Sequence, residues 1–401
     1  MGQEIELQEK LPNYRWVVIG LWLLCGVAGF MVLSTFGMLL PAISSDLHLS
    51  PRQQGLLGSA AFWGNLALAI PLSLWTSRYP AKVLTTVTLV LGILLLFLQS
   101  WAPAFAYLLV GRLGFGITLL ARIPARALLT RQWFPQREIV LVNSIGNAMF
   151  GLVVGAGLIA TPFILSSLGD NWRTTLRVFG LLLIVLTALW IALGKDRDTP
   201  EDRTRADQSG ASPLKGILSY RDLWVGGFGF MGANLPWAAF LSFFPTLMLD
   251  TDDVSLQWSG GILALGILTG GVSGLGIGYL VMATGQGKRI LQALGILMTI
   301  TYVGMTLTSS LPLLLVLSVL NGLAWGFWPI LYTVPFQLPG IKPRDVGVAL
   351  AFTMMMISAG TVLGPLITGF LQEAVSLKVT LLIISFFALS LSAAGTFLRR
   401  A

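Results

Sequence analysis

The chain alternates between long apolar runs and short polar or Pro/Gly-rich connections over its whole length. A bilayer core of about 30 Å is crossed by about 20 mostly apolar helical residues. Runs of this length predict twelve transmembrane spans, at approximately 16–39, 54–76, 83–104, 107–129, 139–165, 172–193, 223–248, 258–282, 289–309, 311–334, 346–371 and 377–398. Because backbone polar groups must be paired in lipid and the runs are too long for barrel strands, all twelve are predicted to be helices.

One long polar segment, Lys195 to Arg221, divides the spans into two sets of six. Its mixed charge and its Pro, Ser and Gly residues are typical of a linker. The predicted fold class is therefore all-α, with two six-helix bundles and both termini in the cytoplasm. The predicted boundaries are 1–15 for an N-terminal tail, 16–193 for the first bundle, 194–222 for the linker, 223–398 for the second bundle and 399–401 for a C-terminal tail.

Composition supports a membrane protein and excludes most enzyme chemistry. Of the 401 residues, 55% are hydrophobic and 10% are charged, whereas about 25% are charged in a typical soluble domain. One Cys and one His exclude a disulfide framework, a Cys/His metal site and a Cys–His nucleophilic pair. We expect no enzyme activity, no cofactor and no metal.

The net charge of +8 follows from where the basic residues lie. With both termini inside, most Lys and Arg residues fall in cytoplasmic loops and tails, in agreement with the positive-inside rule. They form no basic stripe with interleaved aromatic residues, so nucleic acid is not expected as a partner. The sequence predicts a monomeric, multi-pass protein of the bacterial cytoplasmic membrane, with lipid and a small-molecule substrate as its partners.

Short sequence similarities relate the two halves, as in transporters built from repeats. Residues Gly111–Gly116 in span four parallel Asn321–Gly326 in span ten. Residues Gly157–Pro162 in span five parallel Gly360–Pro365 in span eleven. The two halves are therefore expected to share one helical arrangement.

Several local motifs, in order, resemble the major facilitator superfamily over essentially the whole chain. The family's loop between spans two and three reads Gly-x-x-x-Asp-Arg-x-Gly-Arg-Arg. Here Arg78 and Lys82 match this pattern, whereas Ser77 and Pro80 replace the Asp and the second Gly. Because Ser77 replaces that Asp, this loop lacks the carboxylate through which the family forms its gating contact.

Span four adds a second part of the resemblance. Arg112 is followed four residues later by Gly116, and Trp133-Phe134-Pro135 follows the span, as in the family. The organic-anion branch commonly has a Glu where this chain has Leu119. The resemblance, which extends to the anion-symporter and cyanate-transporter-like branches, implies alternating access: two bundles rock about a site near the midplane. In this reading the gating candidates are Arg78, Lys82, Glu138 and Asp222.

Three arginines are the only ionisable groups predicted at membrane depth, because none of the 17 acidic residues falls in the middle of a span. Arg112, Arg122 and Arg126 share an arc of about 80° along about 21 Å of an ideal helix. A deep Arg without a carboxylate partner is costly, so an anionic substrate is expected to supply the countercharge. The alternatives are a structural or gating role for Arg112, and snorkelling or bonding to the cytoplasmic loops for Arg126.

Polar and aromatic residues at similar depth complete the candidate site. Aromatic walls with a few amides suit a small or modest substrate, while core packing or an interhelical hydrogen bond is the alternative for each residue. The candidates are Thr35, Asn65, Asn147, Asn234, Trp237, Asn321, Trp325, Trp328, Tyr332, Thr353 and Ser358.

The sequence therefore predicts a secondary carrier for a small organic or inorganic anion. No intramembrane acid or His is available to exchange protons, so we expect uniport or anion exchange, or a proton carried by the substrate or by an edge residue such as Glu138 or Asp222. The alternative is a broad-specificity exporter of neutral or amphipathic compounds with structural arginines. A transport-fold sensor or lipid-handling protein ranks below both.

Overall fold

The computed structural model describes residues 13–76, 79–135, 138–196, 218–252, 254–341 and 343–399, and within these ranges every regular element is a helix. The helices of the first half are α1 Tyr14–Ser34, α2 Phe36–Leu47, α3 Pro51–Thr76, α4 Ala81–Ser100, α5 Phe105–Ala121, α6 Ile123–Trp133, α7 Ile139–Ser167 and α8 Trp172–Leu193. The α-helices of the second half are α9 Arg221–Asp252, α10 Leu256–Thr284, α11 Gly287–Leu307, α12 Leu311–Ala324, α13 Trp328–Tyr332, α14 Pro343–Leu371, α15 Leu377–Ser385 and α16 Leu389–Phe397.

Most of these helices have the length and apolar composition of membrane spans. Within the described ranges, nine helical stretches are long and apolar enough to cross a bilayer, and the shorter α2 and α5 are also apolar. The predicted all-helical membrane fold is therefore confirmed. The count of twelve spans and the cytoplasmic placement of the termini stay predictions.

Four of the predicted spans are interrupted helices, including the twelfth, in which the 3-10 turn Phe386–Ala388 separates α15 from α16. The first span breaks at Thr35 between α1 and α2, and the fourth breaks at Arg122 between α5 and α6. The tenth contains two 3-10 turns, Trp325–Phe327 and Val334–Gln337, on either side of α13. Such breaks are tolerated at membrane depth where protein surrounds the backbone. The break at Arg122 means that span four is not the single straight helix on which the predicted arginine stripe was drawn.

The two halves pack closely against each other at one end of the molecule, along the helix pairs α3–α14, α7–α10 and α2–α9. Gly55 of α3 meets Gly369 of α14 so closely that a Cβ at Gly55 would lie 2.6 Å from the Pro365 carbonyl oxygen. Gly37 and Gly260 allow similar backbone contacts between the halves. These small residues let the halves close this end of the molecule.

The predicted linker, 194–222, lies largely outside the described residues, and so does the predicted gating residue Arg78. At the start of the linker, the carboxylate of Asp196 accepts hydrogen bonds from the backbone N–H of Lys82 at 2.9 and 3.1 Å. Asp196 therefore caps the N-terminus of α4, where a negative charge is favourable. At its other end the linker is shorter than predicted, because α9 begins at Arg221.

Candidate substrate cavity

A cavity of about 600 Å³ lies between the two halves, a volume in the range of small-molecule sites. Leu241 and Leu263 line it near the closed end, and the wall continues along α10 as far as Leu275. The first half contributes residues of α1, α3 and α7, and the second half contributes residues of α9 to α14. Most of the wall therefore belongs to the second half.

The cavity brings together eight of the predicted site residues, which are Asn65, Asn147, Asn234, Trp237, Asn321, Trp325, Trp328 and Ser358. Thr35, Thr353 and Tyr332 are not among the lining residues. The buried hydroxyls of Thr35 and Thr353 donate hydrogen bonds to backbone carbonyls of their own helical turns, at 3.3 and 3.1 Å. Substrate contact by these three residues stays a prediction.

Three phenylalanines form the aromatic face of the first half. Phe30 of α1 lies between Phe62 of α3 and Phe150 of α7, with ring centroids 6.3 and 5.1 Å apart. These distances are in the range of favourable tilted ring contacts. The face therefore presents ring surface to the cavity.

The aromatic face of the second half is larger and includes three tryptophans. The rings of Trp237 and Trp325 pack edge to face at 6.0 Å, and Trp325 lies 6.4 Å from Trp328. Phe240 and Tyr302 lie next to this group, with their ring centroids 4.5 Å apart. A ligand in the cavity would therefore lie between two aromatic faces.

Several polar groups of the second half already have partners within the protein. The Asn234 amide donates to the Phe230 carbonyl at 2.9 Å, and Asn321 Nδ2 donates to Thr301 Oγ1 at 2.9 Å. Within the described part of the chain, Asn65, Asn147 and Ser358 form no side-chain hydrogen bond. These three side chains are free to bind a ligand.

Arg112 lies behind the wall of the cavity rather than on it. Its side chain is 3% exposed, Nε donates to the Leu57 carbonyl at 2.7 Å, and the guanidinium carbon lies 3.4 Å from the Phe36 ring centroid. A void of about 10 Å³ beside it, enough for about one water, is lined by Phe62 and Trp237. Both residues also line the cavity, so a single layer of side chains separates it from Arg112.

The other two arginines are bound within the first half. Arg122 is 4% exposed, and its Nη1 donates to the Cys25 carbonyl of α1 at 3.3 Å. Arg126 Nη2 donates to Asn143 Oδ1 of α7 at 3.1 Å. None of the three arginines is among the residues that line the cavity. Their predicted substrate contact therefore stays a prediction.

The described gating candidates occupy the end opposite to the packed one. Glu138 forms an ion pair with Arg15 at 3.1 Å, which joins the start of α7 to α1. Asp222 lies in the first turn of α9, where the helix dipole favours a carboxylate. Lys82 follows the short connection between α3 and α4. A gating role for these residues stays a prediction.

Sequence reasoning missed Tyr302 and Met305 of α11, which both line the cavity. The available signal was a tyrosine near the middle of the ninth span, because a buried phenol needs a hydrogen-bond partner. The four lining phenylalanines gave no such signal, since Phe is equally suited to core packing.

The fold and the cavity define a class of protein, a helical membrane transporter with its site between two bundles. A family model described as the Major Facilitator Superfamily matches residues 22–340. The chain therefore belongs to the major facilitator superfamily, and it is a multi-pass membrane transporter rather than an enzyme.

Similar curated proteins align over most of the chain. A hexuronate transporter of Bacillus subtilis is 24% identical, with 91% of this chain and 89% of that protein covered. A probable galactarate/D-glucarate transporter, GarP, of Escherichia coli K12 is 23% identical, with coverage of 84% and 85%. A nitrite extrusion protein of Bacillus subtilis is 26% identical over 62% of each chain. Relatives at this level share the transporter family.

Solved structures agree on the fold. The nucleoside transporter NupG matches with a TM-score of 0.78 at 15% identity, covering 97% of this chain and all of that one. A bacterial homolog of the human lysosomal transporter Spinster, solved in an inward-facing and unoccupied conformation, matches with a TM-score of 0.73 at 18% identity, covering 96% and 95%. These likenesses show the two-bundle arrangement independently of sequence.

Proposed function

We propose that the protein moves a small anion, organic or inorganic, across the cytoplasmic membrane by alternating access. The observation that carries the proposal is the buried Arg112 guanidinium, one side-chain layer behind a cavity that lies between two halves closed at one end. The relatives support the same reading, because those described as hexuronate, galactarate/D-glucarate and nitrite carriers all handle anions.

The proposal includes twelve spans with both termini in the cytoplasm. Under this orientation, the closed end at Gly55 and Gly369 faces outward and the cavity opens towards the cytoplasm. The glycine contacts at the closed end would separate when the halves rock to the outward-facing state. The candidate gating residues Arg78, Lys82, Glu138 and Asp222 would then approach one another at the inner end.

The arginines of span four supply positive potential to a site that has little of its own. Arg112 is the best placed of the three, since only Phe62, Trp237 and their neighbours separate it from the cavity. Across one layer of side chains, at about 8 Å, a pair of unit charges is worth about 2 kcal/mol at an effective dielectric of about 20. Arg122, deeper in the first half, adds to this potential, and Arg126 does so nearer the inner end.

One observation favours the alternative, an exporter of neutral or amphipathic compounds. Among the described residues that line the cavity, none carries a formal charge. A transporter of this kind would use the aromatic faces for binding, and its arginines would be structural. Transport of lipophilic dyes in preference to anions would support this alternative.

Counterflow in proteoliposomes tests the proposal, with a panel of small carboxylates, nitrate, nitrite, cyanate and sulfonates. We expect counterflow of at least one anion, and a loss of about tenfold or more in Arg112→Ala with partial recovery in Arg112→Lys. Arg289→Ala is the matched control, because Arg289 is an exposed arginine that bonds Gln286 at the start of α11. Wild-type rates in Arg112→Ala would contradict the role of Arg112, and a panel without counterflow would contradict anion transport.

A further inference from the structure

Tyr302 occupies a position in the cavity that the anion proposal does not yet use. It lies on α11, its ring packs against Phe240 with 4.5 Å between centroids, and the residue lines the cavity although it is only 3% exposed. A buried phenol is stable only when its hydroxyl is hydrogen-bonded. The partners of this hydroxyl therefore decide what it can do.

Two residues of the tenth predicted span, Trp325 and Asn321, lie close to the Tyr302 hydroxyl. An indole N–H can only donate, so towards Trp325 the phenol oxygen can act only as an acceptor. The Tyr302 hydroxyl donates no hydrogen bond to the described residues. Its own proton is therefore available for an acceptor in the cavity.

The orientation of Asn321 follows from its other partner. Thr301 Oγ1 donates to the Met298 carbonyl at 2.9 Å, so it can only accept from Asn321. The amino group of Asn321 therefore faces α11, in agreement with the bond from Nδ2 to Thr301 at 2.9 Å. Asn321 and Trp325 thus present N–H groups towards the phenol oxygen, and its own proton stays available for an acceptor in the cavity.

Few other donors on this face are free. The hydroxyl of Ser318 donates to the Ile262 carbonyl, and that of Thr361 donates to the Ile357 carbonyl at 3.0 Å. The Asn234 amide donates to the Phe230 backbone. Besides Ser358, the hydroxyl donor that the second half offers is therefore Tyr302, which shares the cavity wall with the rings of Phe240, Trp237, Trp325 and Trp328.

This arrangement matches a particular shape of ligand. Ring surface on both walls favours a planar or largely apolar body that stacks between them. A sugar acid carries several hydroxyls, whereas the free polar side chains among the described lining residues are Asn65, Asn147, Ser358 and Tyr302, and each hydroxyl left without a partner costs about 1–3 kcal/mol. The cavity therefore disfavours polyhydroxylated acids.

Resting on the proposed anion transport, we infer that Tyr302, which packs on Phe240 in the cavity wall, donates a hydrogen bond to an oxygen acceptor of the substrate, and that the substrate is an organic anion with an aromatic or largely apolar body. A carboxylate oxygen of the substrate accepts the hydrogen bond from the Tyr302 hydroxyl, and the apolar body of the substrate lies between the two aromatic faces. Tyr302 is a specificity-determining residue in this scheme.

The test is calorimetric titration of the purified full-length chain with benzoate, D-glucuronate and nitrite. We expect wild-type protein to bind benzoate at least about tenfold more tightly than D-glucuronate. We expect Tyr302→Phe, which keeps the ring packing on Phe240, to weaken benzoate binding by about tenfold, as expected for loss of a hydrogen bond to a charged group. Tyr279→Phe is the matched control, since Tyr279 is 72% exposed on α10 and lies outside the cavity lining.

The outcomes separate this inference from the anion proposal. Equal benzoate affinity in wild type and Tyr302→Phe overturns the role of Tyr302. Tighter binding of D-glucuronate or nitrite than of benzoate overturns the inferred substrate class and leaves anion transport standing. If none of the three anions binds and no anion shows counterflow, the proposed function fails together with the inference. An unchanged elution profile and melting temperature for Tyr302→Phe show that its effect is not loss of fold.

Discussion

The two halves of the transporter divide charge and contact surface unequally. The first half contains the buried arginines, and its guanidinium groups bond backbone carbonyls of the same half, as Arg112 does with Leu57 and Arg122 with Cys25. The second half contributes most of the cavity wall, and its described lining residues are uncharged: aromatic, aliphatic, amide, hydroxyl or glycine. In the proposed function, one half therefore provides electrostatic potential, and the other provides the contacts that distinguish one ligand from another.

The related sequences Gly111–Gly116 and Asn321–Gly326 show which part of the repeat the two halves share. A Cβ at Gly116 would overlap the Ala61 backbone of α3, and a Cβ at Gly326 would overlap Ile277 of α10. Both glycines thus bring the fourth span of a half against its second span. Arg112, however, aligns with Gly322, where a Cβ would lie 2.6 Å from the Gly266 carbonyl oxygen. The halves share helix packing but not the charged position.

The largest effect is expected where the halves are alike. Gly116→Val and Gly326→Val should each destabilise the protein by about 3 kcal/mol or more, because each adds a branched side chain where neighbouring atoms leave no room. Thermal melting and gel-filtration yield of the purified protein measure this loss. Gly271→Ala is the control, since nothing lies within 4 Å of a Cβ there. A tolerated valine at either glycine would contradict the shared packing.

The second effect concerns the charged half. Arg122→Ala should lower anion uptake into proteoliposomes by severalfold, less than Arg112→Ala, because Arg122 lines neither the cavity nor the void beside it, whereas Arg112 lines that void. The fold should survive, since truncation of a buried, unpaired guanidinium also removes its desolvation cost. Uptake rates and melting temperatures measured on the same preparations test both parts. A greater loss of uptake in Arg122→Ala than in Arg112→Ala would reverse the ranking.

The third effect compares matched amides on the two walls. Asn321→Ala should weaken binding of the transported anion by about tenfold, because Asn321 supports both Thr301 and Tyr302. Asn65→Ala should weaken it by about twofold, since Asn65 lines the cavity but supports no other described side chain. Equilibrium titration with the anion identified by counterflow measures both. Equal losses would remove the distinction between the two walls.

The smallest effect lies outside the cavity. Asp196→Ala should lower stability by about 1 kcal/mol, because it removes the carboxylate that accepts the Lys82 backbone N–H at the start of α4. A fall of a few degrees in melting temperature with unchanged transport is expected. A large loss of transport would instead assign this contact to the conformational cycle.

The site could be predicted in part from the sequence. Depth along each span identified Asn65, Asn147, Asn234 and the three tryptophans, because polar and amphipathic residues in an apolar run are visible without a structure. Depth does not give direction around the helix axis. The lipid-facing and protein-facing sides of a membrane helix are both apolar, so periodicity says little about which side faces the cavity.

Local properties of the sequence determined the all-helical membrane fold and its division into two halves, since hydrophobic length and a polar linker require no distant partner. Tertiary packing decided the rest. The arginines of span four face their own half because Gly116 packs closely on Ala61 and the helix breaks at Arg122. The packing of α11 against α12 places Tyr302 next to Asn321 and Trp325. Helix rotation and such meetings depend on neighbours distant in sequence, so only the assembled fold determines them.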